Sequence, residues 1–240
     1  MTYSDTTNLS GVVQTIERLC DVGQTYISGD ATRLKEMTAT INRINHRVWH
    51  TIFMSTGNWQ YDDGNFTDLP VASADLVSGT ARYAIPTDAL TIQRVEIKDE
   101  NGLEYQLTPI TKELIKGQAI DEFLDVAGTP MYYSLVNGTM ELFPASNYAS
   151  SGGLKVYFDR DSVDFTTTDT TKTPGFASPY HELIPIKASI EWLKVKQPNS
   201  PTLAILLQDD IRVEKSLKDY YGKRFRDYKP RIKRAYQSFA

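Results

Sequence analysis

The sequence contains one cysteine, Cys20, among 240 residues. A single cysteine cannot close an intrachain disulfide and offers no cysteine cluster for a metal ion. No apolar run reaches the roughly 20 residues that a membrane-spanning helix needs, and residues 1–10 lack the basic and apolar regions of a signal peptide. These absences predict a soluble protein that is made in a reducing cytoplasm and has no membrane partner.

The usual catalytic patterns are also missing. His46 and His50 have the four-residue spacing of two zinc ligands on a helix, but Arg47 stands where a metalloprotease has its glutamate. We therefore interpret the two histidines as a polar or interface pair. There is no glycine-rich phosphate loop, no nucleophile elbow and no cysteine–histidine pair. The sequence predicts no enzyme, no catalytic residues, no metal site and no cofactor. A hydrolase or metalloenzyme stays an alternative, and it would need a metal ion near the histidines.

Helical periodicity occupies both ends of the chain. Apolar residues recur three and four positions apart within residues 10–28, 31–55, 179–197 and 201–228, as amphipathic helices require. A Ser-Gly-Asp sequence separates the first two segments, and its Asp30 is a candidate cap for the second helix.

The middle of the chain instead follows the period of two that half-buried strands show. Around residues 92–97 the alternation changes parity, which indicates a β-bulge. Residues 131–135 alternate before Asn137-Gly138, a dipeptide that favours a type I′ hairpin turn. Two further alternating runs follow, so residues 128–160 predict a three-stranded meander. A short helix from about Thr111 to Phe123 precedes it.

These periodicities predict the α+β class, with a helical bundle and an inserted, mostly antiparallel β module. The predicted order is an N-terminal helical hairpin (1–55), an irregular loop (56–80), the β module with its short helix (81–160), an extended arm (161–178), C-terminal helices that complete the bundle (179–228) and a basic tail (229–240).

Positive charge is concentrated near the C-terminus. Seven of the 26 basic residues lie between Gly222 and Arg234, beside the single acid Asp227, although the whole chain has a net charge of −4. Aromatic residues such as Tyr221 and Phe225 alternate with these cations. Such a segment can bind nucleic acid through phosphate pairing and base stacking. The helical spacing of the aromatics favours packing against protein instead.

A longer pattern extends over most of residues 80–240. It comprises Gly128-Thr129-Pro130-x-x-Tyr133, Leu142-x-Pro144, Leu154-x-Val156-x-Phe158 with Arg160, Asp169-Thr170-Thr171-Lys172-Thr173-Pro174-Gly175-Phe176, Ser178-Pro179-x-His181-Glu182, Ile190-Glu191-Trp192 and the basic, aromatic C-terminal helix. In order and spacing this pattern resembles the head–tail connector (adaptor) proteins of tailed bacteriophages. The N-terminal helices match them only by type.

The resemblance implies a structural protein of the phage neck, located in the virion and made in the bacterial host cytoplasm. It would form a homo-oligomeric, dodecameric ring between the portal protein and the next neck or tail protein. The ring would extend the channel through which genomic DNA passes without sequence-specific binding. Outside residues 222–234 the chain has a net charge of −10, and an acidic body of this kind suits that passage. The alternative function is a nucleic-acid-binding module that uses the basic C-terminal helix and tail.

Two interfaces follow from the residue pattern and the resemblance together. Aromatic and arginine side chains dominate the energetics of protein interfaces, so the C-terminus is predicted to bind the portal. The residues of this portal interface are Tyr221, Arg224, Phe225, Tyr228, Arg231, Arg234, Tyr236 and Phe239. Neighbouring subunits are predicted to meet through the loop and the arm, at Trp59, Tyr61, Phe66, Phe165, Asp169 and Lys172.

Overall fold

The computed structural model describes residues 1–56, 64–110 and 127–223. The described residues form two compact units: unit 1 comprises residues 1–56, 64–66 and 162–223, and unit 2 comprises residues 67–110 and 127–161. Unit 1 is helical and unit 2 consists of two sheets. This confirms the predicted α+β class, a helical bundle whose chain is interrupted by a mostly antiparallel β module. The predicted short helix at 111–123 lies outside the described residues.

Unit 1 is built from helices that the sequence periodicity indicates. They are α1 (Val12–Leu19), α2 (Ala31–Thr56), α3 (Leu183–Lys196) and α4 (Pro201–Lys223), and a 3-10 turn at Ser178–Tyr180 precedes α3. Asp30 caps α2, because its Oδ1 accepts the backbone N–H groups of Thr32 at 3.0 Å and Arg33 at 2.9 Å. Proline opens α4, where its missing N–H costs nothing.

The first helix is shorter than the predicted residues 10–28. It ends at Leu19, and the chain turns between residues 20 and 30, with Asp21 and Thr25 at positive φ angles of 52° and 66°. The apolar residues at regular helical spacing end with Cys20, so the amphipathic pattern that favours a helix does not continue through residues 21–28.

A buried carboxylate holds this turn in place. Glu17 is 4% exposed. Its oxygens accept the N–H groups of Ile27 and Ser28 at 2.8 Å and of Thr25 at 3.3 Å, and the Ser28 hydroxyl at 3.0 Å. These bonds satisfy amides that a continued helix would have paired, and they fold the turn back against α1.

The core of unit 1 lies between the helices. The helix α3 contacts α1, α2 and α4, as its nearly continuous apolar surface predicts. Its fully buried side chains include Leu183 and Ile184, which pack in one cluster with Ile41 of α2 and Leu217 of α4. Each such side chain stabilises the unit by about 1.5–3 kcal/mol.

An ion pair links α3 to α4. The Nζ of Lys187 lies 2.7 Å from carboxylate oxygens of both Asp210 and Glu214. Burial alone would lower the pKa of Lys187, but the hydrogen bonds that it donates to these two carboxylates raise it above its usual value. Lys187 therefore stays charged and keeps the two helices in register.

Unit 2 contains two four-stranded sheets. The strands are β1 (Val71–Leu76), β2 (Arg82–Ala84), β3 (Ala89–Lys98), β4 (Glu104–Gln106), β5 (Thr108–Pro109), β6 (Tyr132–Val136), β7 (Thr139–Phe143) and β8 (Ser150–Arg160). One sheet has the order β1-β8-β3-β4 and the other the order β2-β7-β6-β5. Strands β5 and β6 run parallel, and the other neighbours run antiparallel.

Local turn chemistry is confirmed in unit 2. Asn137 and Gly138 have φ angles of 49° and 75° between β6 and β7, as a two-residue hairpin turn of the predicted kind requires. The register of β3 shifts between Ile92 and Arg94, at the predicted bulge. The core of the unit contains a cluster of buried apolar side chains, formed by Leu76, Tyr83, Val95, Ile97, Leu107, Tyr133, Met140, Leu142, Leu154 and Val156.

The predicted three-stranded meander is wrong in its third strand. Strands β6 and β7 form the hairpin, but β8 pairs with β1 and β3 in the other sheet. The partner β1 lies within residues 56–80, which were predicted to be an irregular loop. Its sequence, Val-Ala-Ser-Ala-Asp-Leu, is rich in small residues with weak strand propensity, so the pairing with β8 rather than local preference makes it a strand.

We expect Glu17→Ala to destabilise unit 1 by about 3 kcal/mol, because it leaves the buried N–H of Ile27 and the partly buried N–H groups of Thr25 and Ser28 without their acceptor. Glu36→Ala is the matched control: this glutamate is exposed on α2, and its loss should change stability by less than about 0.5 kcal/mol. Urea unfolding followed by far-UV circular dichroism measures both. Equal losses in the two variants would contradict a structural role for Glu17.

Candidate assembly site

The chain returns from unit 2 to unit 1 through the arm. Within the arm, residues 162–174 lie along α2. Three side chains of α2 hold it: Asn42, His46 and Trp49. Their spacing of four and then three positions places them on one face of the helix. We call these three residues the anchor stripe.

Asn42 binds the arm through both ends of its side-chain amide. The amide nitrogen donates to the backbone oxygen of Phe165 at 3.0 Å, and the amide oxygen accepts the backbone N–H of Phe165 at 2.8 Å. The backbone of an adjacent β-strand would offer the same donor and acceptor to Phe165. Asn42 therefore pairs the backbone of an extended segment that has no sheet to join.

His46 contacts the arm on both sides of its ring. Its Nε2 lies 2.9 Å from Oδ1 of Asp164, and its Nδ1 lies 3.0 Å from the hydroxyl of Ser162. In a catalytic Ser-His-Asp triad the carboxylate holds Nδ1 and the nucleophile meets Nε2. Here the two partners are exchanged, and Ser162 is only 8% exposed. The arrangement is suited to fastening the arm.

Trp49 completes the stripe. Its indole N–H donates to the backbone oxygen of Pro174 at 3.1 Å, and its ring meets the edge of Phe176 with centroids 5.9 Å apart. His50, the expected partner of His46, is exposed. Within residues 1–56, 64–110 and 127–223, no three potential metal-ligating side chains come together.

The N-terminal segment covers the arm from the other side. The ring of Tyr3 stacks on Phe165 with centroids 5.2 Å apart, and its hydroxyl lies 2.5 Å from that of Thr38. The backbone N–H of Tyr3 donates to Lys172 at 2.8 Å. Burial raises the pKa of Tyr3 and outweighs the opposing effect of its hydrogen bond with Thr38, so the phenol stays neutral in this contact.

Between its fastened ends the arm forms an exposed turn at residues 166–171, which we call the arm tip. Asp169 closes it: its Oδ2 accepts the N–H of Thr166 at 2.7 Å, and its own N–H donates to the Thr166 oxygen at 3.2 Å. The threonines of the tip are exposed. The tip is therefore an ordered polar projection, with hydroxyl groups that can both donate and accept hydrogen bonds.

The structure places the predicted subunit-interface residues in different environments. Phe165 is 3% exposed and packs within unit 1, whereas Asp169 and Lys172 lie at the base of the arm tip with Nζ and Oδ2 3.9 Å apart. Phe66 is half-buried. Trp59 and Tyr61 lie outside the described residues.

Of the predicted portal residues, Tyr221 is described. It is 3% exposed, and its hydroxyl accepts the N–H of Ala177 at 3.0 Å, so unit 1 itself holds this side chain. The other members lie outside the described residues: Arg224, Phe225, Tyr228, Arg231, Arg234, Tyr236 and Phe239. None of the helices in the described ranges is long and apolar enough to cross a membrane.

The role of the anchor stripe was missed from the sequence. Its signal was present, because Asn42, His46 and Trp49 are hydrogen-bonding residues at helical spacing beside an apolar seam. Periodicity shows that such residues share a face, but it does not show what that face binds.

We expect Asn42→Ala to free the arm locally, because the backbone N–H and oxygen of Phe165 both lose their partner. Opening should become easier by about 1–3 kcal/mol, and hydrogen exchange at the Phe165 amide should accelerate accordingly. Lys35→Ala, an exposed change on the same helix, should leave that exchange rate unaltered. An unchanged rate in the Asn42 variant would show that Asn42 does not hold the arm.

Comparison with known proteins assigns the chain to a family. No curated protein matches the chain. The family model of the SU10 adaptor protein matches residues 7–196, a range that contains α1, α2, all of unit 2, the arm and α3. The match covers well over half of the chain. The chain therefore belongs to the SU10 adaptor protein family, a family of bacteriophage adaptor proteins.

Proposed function

We propose that this adaptor protein forms a homo-oligomeric ring in the virion neck. The ring lies between the portal protein and the next neck or tail protein and extends the channel for genomic DNA. Membership of the adaptor family supports a structural role that joins virion proteins. The observation that carries the proposal further is the arm tip, an ordered polar projection that unit 1 fastens at both ends but leaves uncovered.

A fastened projection is useful in assembly. Ordering a loop at an interface costs free energy when copies associate, and a loop that is ordered in advance avoids much of that cost. The anchor stripe and Tyr3 supply this order within one copy. The exposed threonines can then bond to the backbone of a neighbouring copy. Asp169 and Lys172 contribute by holding the tip in shape.

We infer that the C-terminal segment binds the portal. Burial of Leu217 and Tyr221 fixes the last turns of α4 in unit 1, so the following residues start from an ordered base. These residues combine arginines with aromatics, the side chains that contribute most at protein interfaces. Arg224, Phe225, Tyr228, Arg231, Arg234, Tyr236 and Phe239 form the proposed portal contact.

Nucleic-acid binding by the same segment is the second candidate, and its density of cations supports it. Phosphate contacts would make the affinity fall steeply with salt concentration. Portal binding through aromatic anchors would depend much less on salt. Binding of the full chain to duplex DNA between 50 and about 200 mM salt therefore separates the two candidates.

The arm tip can be tested with Thr170→Arg. Thr170 is exposed, so this change should alter the stability of the free chain by less than about 0.5 kcal/mol. It places a bulky cation in the proposed contact and should strongly reduce the number of copies recovered in virus particles. Thr6→Arg, an exposed threonine outside the arm, is the control. Normal rings in electron micrographs of Thr170→Arg particles would show that the arm tip does not lie in the interface between copies.

Deletion of residues 229–240 tests the portal contact. The described core ends at Lys223, so we expect the truncated chain to keep its circular dichroism spectrum and melting temperature. It should no longer attach to DNA-filled heads. The double change Tyr236→Ala with Phe239→Ala should weaken attachment to the heads without altering DNA binding. The double change Arg231→Ala with Arg234→Ala removes two positive charges instead, and it should weaken any DNA binding by the segment. Attachment of the truncated chain to filled heads would refute the proposed contact.

A further inference from the structure

The outer face of α4 carries apolar side chains that unit 1 leaves exposed. Ile205, Leu207 and Ile211 are 61%, 39% and 71% exposed, whereas Leu206 and Leu217 on the inner face are buried. The exposed residues, together with the exposed Ala204, form what we call the outer patch. Ala204, Leu207 and Ile211 are spaced by three and four positions, the arrangement of side chains that anchor a helix in a groove.

A groove of about 500 Å³ lies elsewhere on unit 1, between α2 with its preceding turn and α3. Its apolar lining consists of Tyr26, Ile27, Met37, Ala188, Trp192 and Val195. Val195 is 76% exposed although it lines the groove. All lining residues belong to residues 26–43 and 188–196, so α4 does not contribute to the groove. We call it the α2–α3 groove.

We propose that the outer patch of one copy docks into the α2–α3 groove of the next copy. The contact deepens the proposed function and rests on it, because it requires a second copy of this chain beside the first. Patch and groove are different surfaces of one unit, so the contact is heterologous. Heterologous contacts repeat head to tail and close into a ring when the rotation between copies allows it. Contact between two outer patches would instead stop at a dimer.

Charges beside the two surfaces support a second copy as the occupant. Lys215 lies one helical turn after Ile211 and is exposed, and Glu36 is exposed where it lines the groove. Within the described ranges neither residue forms an ion pair. Docking brings these opposite charges to the same contact, which favours the correct partner and its register.

Most other charges at these surfaces are already engaged within one copy. Arg43 pairs with Glu191, and Arg33 lies 4.1 Å from the centre of the Tyr26 ring. On α4, Arg212 lies 2.8 Å from Asp209. Asp30 accepts the first amides of α2, and Lys196 lies in the last turn of α3, where a cation opposes the helix dipole. Docking therefore does not require an existing ion pair to break.

Paired cysteines test the contact directly. In a chain carrying both Ile211→Cys and Val195→Cys, oxidation of assembled particles should link successive copies into a ladder of covalent multimers. The native Cys20 does not compete, because it is 1% exposed and burial raises its pKa to about 11. Each single cysteine variant should give no ladder. A covalent dimer from Ile211→Cys alone would show patch-to-patch contact and overturn the proposal.

Charged substitutions distinguish a failure of the proposed docking from a failure of the proposed ring. Ile211→Asp and Val195→Asp should each reduce the share of chain recovered in particles about tenfold or more, whereas Ser216→Asp, an exposed change on α4 outside the outer patch, should not. Melting curves show whether each variant folds. If a charged variant does not fold, the disulfide cross-linking of the paired cysteine variant tests the docking in its place. If the natural sequence assembles and both Asp variants assemble equally, the docking is refuted and the ring stands. If the natural sequence forms no multimer in particles, the ring and the docking fail together.

Discussion

The pairing of an extended backbone with side chains of a helix is the contact on which unit 1 depends. The chain leaves this unit after α2, forms unit 2 and must return to place α3 and α4. The returning segment has no sheet beside it, yet its backbone groups need partners wherever water is excluded. Asn42 supplies both a donor and an acceptor to Phe165, and Trp49 supplies a donor to Pro174. A helix surface thereby does for the arm what a neighbouring strand would do.

The same contacts explain why unit 1 can present ordered features for assembly. Fastening residues 162–165 and 172–174 leaves the segment between them projecting, and Asp169 closes that segment into a defined turn. Tyr3 and Phe165 bury their rings together behind it. The helix α4 likewise has a buried inner face and an apolar outer face. In a protein that joins others, such surfaces are already ordered when the monomer folds. Binding a partner therefore does not lose free energy to ordering them.

Much of the secondary structure follows from local signals. The seam of α2 and its Asp30 cap predict that helix almost to its observed ends, and Asn137-Gly138 predicts the hairpin turn. These features depend on residues close in sequence, so periodicity and turn chemistry are sufficient. Glu17 is different. Its carboxylate ends α1 early by binding amides some ten positions later, and no pattern of period 3.6 contains that information.

By itself the sequence determined the class of the fold, the helical and strand-rich segments and the absence of recognisable catalytic patterns. Tertiary structure alone decided which strands are neighbours and what the arm binds. Alternation along residues 154–158 shows which face of β8 is buried but not that its partners are β1 and β3, because every strand of matching polarity satisfies the same pattern. Likewise the spacing of Asn42 and Trp49 shows that they lie on one face of α2. It does not show that this face binds Phe165 and Pro174 of the arm, which lie more than a hundred positions later in the sequence.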